Sequence, residues 1–450
     1  MTNDLTKGNI WKQIISFTIP ILLANLFQNL YSAVDSAIVG HYAGNSAFAA
    51  VSSTGSITFF VIGWAMGINS GFAIMISQRF GAGDEKGVRH YTAMSLYLCT
   101  IMAVVMTAAL LLTNGWVLRL MQTQESLFED TYVYLMVTYI GLAATIAYNF
   151  LAALLRSLGD SRAPLVFLII SSVINFALDM LFVAVFSWGV AGAAAATVIS
   201  QAISALLCLV YIIIKFPILR LGKEDMKFSF ASAWKLLGLG IPMALQFSIT
   251  AIGTMIIQVA LNRLGEIYIT SYGACGKIQN IFAQFFTAFG SCLATFTGQN
   301  AGANRMDRVK KGVKVTVIMT LICSAVDIVL MTCFGSSLVR LFVSDVDAEL
   351  LRVSQQYFNV TAWFYPVLSL IFIYRNVLQG MGSGFVPMLG GVMELVARIV
   401  AIALLVGPLG YVGVCAANPL AWFAALLPTV PAYYYTMYIK PRRQSIKATA

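Results

Sequence analysis

Long stretches without a single charged residue constrain this chain more than any other feature. Residues 42–78, 180–214 and 399–439, for example, contain no Asp, Glu, Lys, Arg or His. A helix that crosses a bilayer needs about 20 mostly apolar residues, and these stretches are longer than that. Of the whole chain, 59% is hydrophobic and 10% is charged, whereas soluble domains are about 45 to 50% apolar and about 25% charged. The sequence therefore predicts an all-α polytopic membrane protein.

Division of the apolar stretches at Gly, Asn and Pro predicts twelve transmembrane helices. Three single acidic residues, Asp179, Asp327 and Glu394, interrupt apolar runs, and the division places them inside helices. The predicted spans are 14–39, 46–76, 91–113, 131–155, 163–187, 190–214, 234–262, 268–298, 312–334, 353–379, 386–407 and 411–438.

The distribution of basic residues predicts the orientation of these helices. When the twelve helices alternate in direction, 22 of the 28 Lys and Arg residues lie on one side and four on the other. Cytoplasmic loops of membrane proteins carry such an excess of Lys and Arg. We therefore expect a multi-pass protein of the cell inner (plasma) membrane with both termini in the cytoplasm. The basic excess is explained by orientation, so no nucleic-acid partner is expected.

The chain contains one internal repeat. The residue pairs Trp11-Lys12 and Ile19-Pro20 recur as Trp234-Lys235 and Ile241-Pro242, and Gln78 to Gly83 and Gly159 to Pro164 recur with similar spacing. The offsets lie between 221 and 223 residues. This constancy predicts two six-helix lobes that form a 6+6 parallel repeat, because an even number of crossings brings the chain back to the same face. The predicted N-terminal lobe is 1–214, the cytoplasmic linker is 215–233, and the C-terminal lobe with a basic tail is 234–450. Transporters commonly bind substrate and ion between such repeats.

Several motifs of the chain occur together in one known family. They are FQNLYSAVDSAIVGHYAG, ISQRFGAGDEKGVRH with its echo FTGQNAGANRMDRVKKGV, and ALLRSLGDSRAPL followed by NFALDMLF and WGVAGAAAATVIS. In their order and spacing, from Ile10 to about Tyr438, the chain resembles the multidrug and toxic compound extrusion (MATE) transporters. The match is to the prokaryotic branch with its cation site in the N-terminal lobe. The resemblance implies an antiporter that exports amphipathic, often cationic compounds in exchange for protons or sodium.

Four acidic residues lie well inside predicted helices, namely Asp35, Asp179, Asp327 and Glu394. A charge near the bilayer centre costs at least about 2.5 to 3.5 kcal/mol, so each acid needs a partner, a water-filled cavity or a bound proton. Burial disfavours the ionised carboxylate, which suits a group that exchanges a proton for another cation. For Asp35 the alternative is a carboxylate that simply meets water near the outer end of its helix, and a purely structural role is the alternative for Asp179 as well.

Polar residues accompany two of these acids at helical spacing. Gln28 and Tyr31 precede Asp35 by seven and four residues, and Asn175 precedes Asp179 by four, so each set shares one helix face. Such oxygen ligands suit a hard monovalent cation or a shared proton. For each amide or hydroxyl residue the alternative is a hydrogen bond that only joins two helices.

The resemblance to MATE transporters assigns these positions to a cation-coupling site. A bound sodium ion would lie at Asp35, Asn175 and Asp179, and no other metal is expected. The residues carried over are Gln28, Asp35, Asn175, Asp179 and Thr197, with Tyr134 as a weaker match.

The C-terminal half has a different buried pair. Glu394 and Arg398 are four residues apart and can neutralise one another across one helical turn. They form either a structural ion pair or a second site that senses substrate. Another branch of the MATE family has a carboxylate in helix seven, whereas residues 236–262 contain no acid here, which argues against a cation site of that type. Asp327 and Lys277 have no helix-local partner, and the sequence predicts no role for them.

Other functions fit the sequence less well than the antiporter does. A lipid-linked precursor flippase of related 6+6 architecture would need several cavity cations for its anionic headgroups, and of the basic residues Lys277 and Arg398 lie inside helices. An intramembrane enzyme would need a motif such as HExxH, a DDxxD-type pair of carboxylates or a mid-membrane His; the sequence shows none of these, so no enzyme activity and no cofactor are expected. A channel fits buried carboxylates in a two-lobe repeat less well than coupled exchange does. The expected partners are the lipid bilayer and small organic substrates, and the chain is expected to be a monomer.

Overall fold

The described part of the chain consists of helices joined by short turns and loops. The computed structural model describes residues 4–342 and 347–439, and these residues contain no β-strand. Their α-helices are α1 (Ile10–Ile38), α2 (Asn45–Ser53), α3 (Gly55–Gly81), α4 (Glu85–Leu120), α5 (Glu125–Ile140), α6 (Leu142–Ser157), α7 (Arg162–Asp179), α8 (Gly189–Lys215), α9 (Phe230–Asn262), α10 (Glu266–Gly302), α11 (Met306–Val339), α12 (Ala348–Thr361), α13 (Tyr365–Gly380), α14 (Phe385–Leu409) and α15 (Tyr411–Tyr434).

Eleven helical segments in the described residues are long and apolar enough to cross a membrane. The helices α5 and α6 together pass the same test, but they are bent by 50° at their junction, and they supply a twelfth crossing when counted as one span. The predicted all-α class and the twelve predicted crossings are therefore confirmed.

Three predicted helices contain breaks that the sequence analysis did not place. The predicted helix 46–76 is divided at Thr54 into α2 and α3, and 131–155 is divided at Gly141 into α5 and α6. The predicted helix 353–379 is divided by a 3₁₀ turn at Ala362–Phe364. Pro366 follows in the first turn of α13, where a missing N–H costs nothing, whereas the same residue would interrupt a continuous helix. These breaks leave the run of apolar residues intact, so hydropathy alone does not reveal them.

Several helices also extend beyond their predicted ends. The helix α4 begins at Glu85 rather than at residue 91, and Asp84 caps it by accepting a hydrogen bond from the backbone N–H of Gly87 at 2.8 Å. The helix α11 begins at Met306 rather than at residue 312. Apolar content marks the part of a helix that lies in the bilayer, whereas caps and backbone hydrogen bonds set where the helix ends.

The chain divides into two compact units. The N-terminal unit contains Asp4 and Leu23–Ala244, and the C-terminal unit contains Leu5–Leu22 and the described residues from Leu245 onward. Each has its own core, with Phe72 and Phe150 in the first and Phe286 and Tyr365 in the second.

Two helices, α1 and α9, therefore contribute to both units. They divide after Leu22 and after Ala244, two residues beyond the repeat-matched Pro20 and Pro242. The predicted lobes divide the chain at 214 and 234 instead, and that division stays a prediction. The predicted basic tail from residue 440 on lies outside the described residues.

Candidate cation site

Asp35 and Asp179 occupy similar positions in their helices. Asp35 lies in the last turn of α1, which continues into a π-helical turn at Val39–Ala43. Asp179 is the last residue of α7 and is followed by a π-helical turn at Met180–Val185. Such turns are rare and occur frequently at functional sites. Both acids thus lie where a regular α-helix gives way to a wider one.

The carboxyl groups of Asp35 and Asp179 lie close enough inside the N-terminal unit to interact electrostatically. Asp179 is 1% exposed and Asp35 is 7% exposed. The Oδ1 atom of Asp35 and both carboxylate oxygens of Asp179 receive no hydrogen bond from any described residue. Two adjacent buried carboxylates repel each other, and an opposite charge or a proton between them relieves that repulsion. The pair is therefore suited to hold one proton or one monovalent cation.

Two tyrosines and a threonine surround this pair. The hydroxyl group of Tyr31, one turn before Asp35 in α1, donates a hydrogen bond to Oγ1 of Thr197 in α8 at 3.0 Å. The phenol groups of Tyr31 and Tyr134 lie close enough to both carboxyl groups to interact with their charge. The site thus combines side chains from α1, α5, α7 and α8.

The two predicted amide residues differ in their surroundings. Asn175 lies one turn before Asp179 in α7, is 2% exposed, and has no hydrogen-bond partner for Nδ2 among the described residues. Gln28 is exposed and forms no hydrogen bond in the described part of the chain. The structure therefore brings Asp35, Asp179, Tyr134 and Thr197 together and buries Asn175 beside them, but it does not join Gln28 to the cluster.

The bend at Gly141 helps to position two of these residues. A Cβ atom at Gly141 would lie 2.1 Å from Cγ2 of Val198, the neighbour of Thr197. Glycine, which has no Cβ, allows α8 to approach the junction of α5 and α6 this closely. The same junction sets the direction of α5, which carries Tyr134.

A second cluster of buried charges lies in the C-terminal unit. Glu394 of α14 pairs with Arg398, one turn later, through Oε2 and Nη2 at 3.5 Å. It also accepts a hydrogen bond from Nη2 of Arg375 in α13. All three side chains are almost completely buried, with 6 to 11% exposed. Two cations and one anion leave this cluster with one excess positive charge.

Further polar groups extend the cluster of Glu394. The amide oxygen of Gln246, in the orientation that satisfies its neighbours, accepts hydrogen bonds from Nε and Nη1 of Arg375 at 2.8 and 2.7 Å. Nε of Arg398 donates to Oδ1 of Asn418 at 3.2 Å, and Nδ2 of Asn418 donates to the hydroxyl group of Tyr272 at 2.9 Å. We call these residues, together with Glu394, the arginine network. Nη1 of Arg398 is the one guanidinium nitrogen of the network that is buried without a partner among the described residues.

Asp327 and Lys277 lie apart from both clusters. Asp327 is buried in α11, close enough to Cys323 and Tyr365 for its charge to act on them. Its Oδ2 atom has no hydrogen-bond partner among the described residues. Lys277 is exposed on α10 and forms no ion pair with a described carboxylate.

Sequence reasoning missed Tyr31 in the first cluster, and in the second it missed Arg375 together with its polar neighbours Gln246, Asn418 and Tyr272. Tyr31 was recognised on the Asp35 face but not assigned to the site, and its spacing of four residues was the available signal. Arg375 was counted with the basic residues of one membrane face, although it lies inside the span predicted for helix ten. Nineteen residues separate Arg375 from Glu394, so no helical spacing links them.

Comparison with known proteins agrees with this architecture. A family model described as MatE matches residues 20–181 and 242–423, one block in each half of the repeat. The probable multidrug resistance protein YpnP of Bacillus subtilis is 32% identical over 384 residues, which cover 84% of each chain. YoeA of the same organism, also described as a probable multidrug resistance protein, is 26% identical over 450 residues, 98% of this chain and 96% of the relative.

The fold is likewise similar to solved structures. An outward-facing conformation of a multidrug resistance MATE family transporter of the MOP superfamily has a TM-score of 0.90 and 20% identity to this chain. The match covers 96% of this chain and 98% of the other. At that identity the likeness establishes the fold, and the family model and the 32% identical relative establish the relationship. The chain belongs to the MATE family of membrane transporters.

Proposed function

We propose that this protein exports amphipathic, cationic organic compounds across the cell inner membrane in exchange for a monovalent cation bound at Asp35 and Asp179. The observation that carries the proposal is the pair of neighbouring buried carboxyl groups, which have no cationic partner among the described residues. An unpaired acid inside a membrane protein is costly and marks an ion or proton pathway. The names of the two Bacillus subtilis relatives, both probable multidrug resistance proteins, support the substrate class.

The coupling ion that best fits the pair is a proton. One proton between Asp35 and Asp179 turns one of the two groups into a hydrogen-bond donor and satisfies oxygens that otherwise have no partner. Sodium would require several converging oxygen ligands, and Gln28, which the resemblance assigns to that set, is exposed and unbonded in the described structure. Loading of the pair from outside then favours release of substrate, and unloading into the cytoplasm resets the transporter.

The remaining parts of the proposal follow from the sequence. The protein works as a monomer in the bilayer, with both termini in the cytoplasm, and it uses no cofactor. Its lobes are 1–214 and 234–450, joined by the linker 215–233, and substrate exchange depends on the ion gradient alone.

Everted membrane vesicles that contain the full chain provide the test. A proton gradient and a sodium gradient are imposed separately, and uptake of a panel of fluorescent organic cations is measured. We expect the proton gradient to drive uptake, and we expect Asp35→Asn or Asp179→Asn to reduce uptake to the background leak while the protein remains in the membrane. The matched control is Glu129→Gln, which removes an exposed acid from α5 of the same unit and leaves uptake unchanged.

Each other outcome changes a specific part of the proposal. Normal uptake in both aspartate variants refutes the site. Uptake driven by a sodium gradient alone would support the site and show that the coupling ion is sodium and not a proton. Flux that needs no gradient identifies a channel.

A lipid-linked precursor flippase remains the second candidate, because Arg375 adds a third helical cation to Lys277 and Arg398. However, Arg375 and Arg398 are both buried and bonded within the arginine network, which leaves Lys277 as the exposed cation of the three. A single exposed ammonium group is a weak site for a diphosphate headgroup. Translocation of a labelled polyprenyl diphosphate by the same vesicles would favour the flippase.

A further inference from the structure

A groove in the C-terminal unit lies between the residues that precede and begin α1 and the first turns of α11. It has a volume of about 420 Å³. We propose that this groove binds the headgroup of an anionic phospholipid, with the lipid phosphate on its lysines. The lining residues that the proposal uses are Gly8, Trp11, Arg308, Lys311, Lys314 and Val315.

The positive charge of the groove comes from one face of α11. Lys311 and Lys314 are three residues apart, so they lie side by side, and both are exposed. Neither forms an ion pair with a carboxylate in the described ranges. Arg308, three residues earlier, donates hydrogen bonds from Nη1 to the carbonyl oxygen of Gly8 at 2.9 Å and from Nη2 to that of Leu5 at 3.1 Å. The opposite wall, formed by the segment before α1, is thereby tied to the same helix.

Exposed aromatic residues indicate the depth of the groove. Trp11, in the wall of the groove, is 43% exposed, and Tyr434 and Tyr438 near the end of α15 are exposed in the same unit. The ammonium group of Lys310 lies 4.3 Å from the ring centre of Tyr438, which connects the beginning of α11 with the end of α15. Exposed Trp and Tyr are enriched at the headgroup level of membranes. A groove at headgroup depth would bring its lysines to the phosphate groups of the surrounding lipids.

The corresponding place in the N-terminal unit is built differently. With the offset of 221 that relates α4 to α11, His90 and Ala93 correspond to Lys311 and Lys314. His90 Nε2 lies 3.0 Å from Oγ of Ser232, at the beginning of α9, and Ala93 is buried. Packing and a hydrogen bond therefore occupy the place where the C-terminal unit presents two lysines. The basic groove is a feature of one half and does not follow from the repeat.

The chemistry selects an anionic lipid over a zwitterionic one. Basic pockets between transmembrane helices bind anionic headgroups, and each Lys or Arg near such a surface strengthens binding by about a factor of five. Phosphatidylglycerol carries a phosphate charge with no ammonium group of its own. Phosphatidylcholine would bring a choline cation against the same lysines.

Native mass spectrometry of the purified full chain tests this proposal with phosphatidylglycerol, phosphatidylcholine and inorganic phosphate as separate probes. We expect one phosphatidylglycerol to be retained per chain in preference to phosphatidylcholine. The double variant Lys311→Gln and Lys314→Gln is expected to weaken that binding about 30-fold. The matched control, Lys215→Gln with Lys235→Gln, removes two exposed lysines from the N-terminal unit and retains the lipid.

A second double variant separates loss of charge from loss of fold. Lys311→Arg with Lys314→Arg keeps both charges and is expected to retain the lipid. Equal retention of phosphatidylcholine, an equal loss in the control variant, or displacement of the lipid by millimolar inorganic phosphate would each overturn the assignment. Loss of binding in the arginine variant as well would show that charge is not what the groove recognises.

Discussion

Each unit contains one cluster of buried charged groups, an acidic pair in the N-terminal unit and the arginine network in the C-terminal unit, and the two clusters differ in how completely their groups are paired. In the N-terminal unit, Asp35 and Asp179 are neighbours, and three of their four oxygens are buried without a hydrogen bond from the described residues. In the C-terminal unit, Glu394 contacts both Arg375 and Arg398. In the proposed mechanism a proton or a cation completes the first cluster, whereas most groups of the second cluster are paired within the protein.

The internal repeat makes this difference informative. An offset of 223 residues relates Asn175, one turn before Asp179, to Arg398. At this repeat position the N-terminal unit thus has the neutral amide of Asn175, one turn before an unpaired acid. The C-terminal unit has the paired cation of Arg398. An unpaired acid in a membrane protein costs free energy, and such acids are retained where they bind an ion or carry a proton. We therefore assign ion coupling to the N-terminal unit and structural support to the arginine network, and matched substitutions test that division.

The largest effect on stability is expected from Glu394→Gln. This substitution leaves Arg375 and Arg398 buried beside each other without their anion, and such breaking of a buried ion pair costs about 3 to 5 kcal/mol. The free energy of unfolding in detergent micelles, measured by denaturant titration, checks the prediction. The control is Glu129→Gln, an exposed acid of the other unit. A loss below about 1 kcal/mol would mean that the arginine network does not depend on Glu394.

A smaller loss is expected from Gly253→Ala in α9. A Cβ atom there would lie 2.3 Å from Nη1 of Arg398. The guanidinium group is held by Glu394 and Asn418, so it cannot move away without weakening those contacts. Overpacking of this kind costs about 1 to 3 kcal/mol.

A matched glycine in the same unit provides the control for Gly253. Gly273 in α10 has no atom within 4 Å of a Cβ built on it, so Gly273→Ala is expected to be neutral or to stabilise the helix by up to about 1 kcal/mol. Equal effects of the two substitutions in thermal unfolding would indicate that the contact with Arg398 has no energetic weight.

In the N-terminal unit, Tyr31→Phe is expected to act more weakly on stability and more visibly on coupling. The substitution removes the hydrogen bond to Thr197, which is worth about 1 kcal/mol. The hydroxyl group also lies near both carboxyl groups, so its loss is expected to shift the pH at which transport is half-maximal. Thr197→Val should give a similar change, and the double variant should add little to either single one. Additive effects would show that the two hydroxyl groups act independently.

The sequence predicts much of this fold because the bilayer imposes a simple rule. Apolar length specifies twelve crossings, and an acid inside such a run, as at Asp35 and Asp179, identifies the residues that need an explanation. Spacing within one helix predicts that Asn175 and Asp179 share a face, and both are buried. The same rule groups Gln28 with Asp35, but Gln28 is exposed. These features depend on local periodicity, which a single sequence contains.

Contacts between distant helices could not be predicted in this way. That α1 and α7 bring Asp35 and Asp179 together, and that Arg375 joins Glu394, depends on packing of helices far apart in sequence. The π-helical turns after both aspartates and the bend at Gly141 leave the apolar runs uninterrupted. In the sequence, such a feature depends on a single residue, and the reason for that residue lies in a neighbouring helix. Gly141, for example, is needed because Val198 of α8 packs against it.

A small effect on stability, and the sharpest contrast with Glu394→Gln, is expected from Asp179→Asn. Both substitutions exchange a buried carboxyl group for an amide of the same size. Asp179 has no cationic partner in the described structure, so the neutral amide removes no ion pair, and the free energy of unfolding should change by no more than about 1 kcal/mol. Denaturant titration beside Glu394→Gln measures both changes under one condition. If Asp179→Asn proved as damaging as Glu394→Gln, Asp179 would be a structural anion held by an opposite charge. In that case the contrast between an exchangeable pair and a fixed network would fail, because a carboxylate that supports the fold cannot release its partner in each transport cycle.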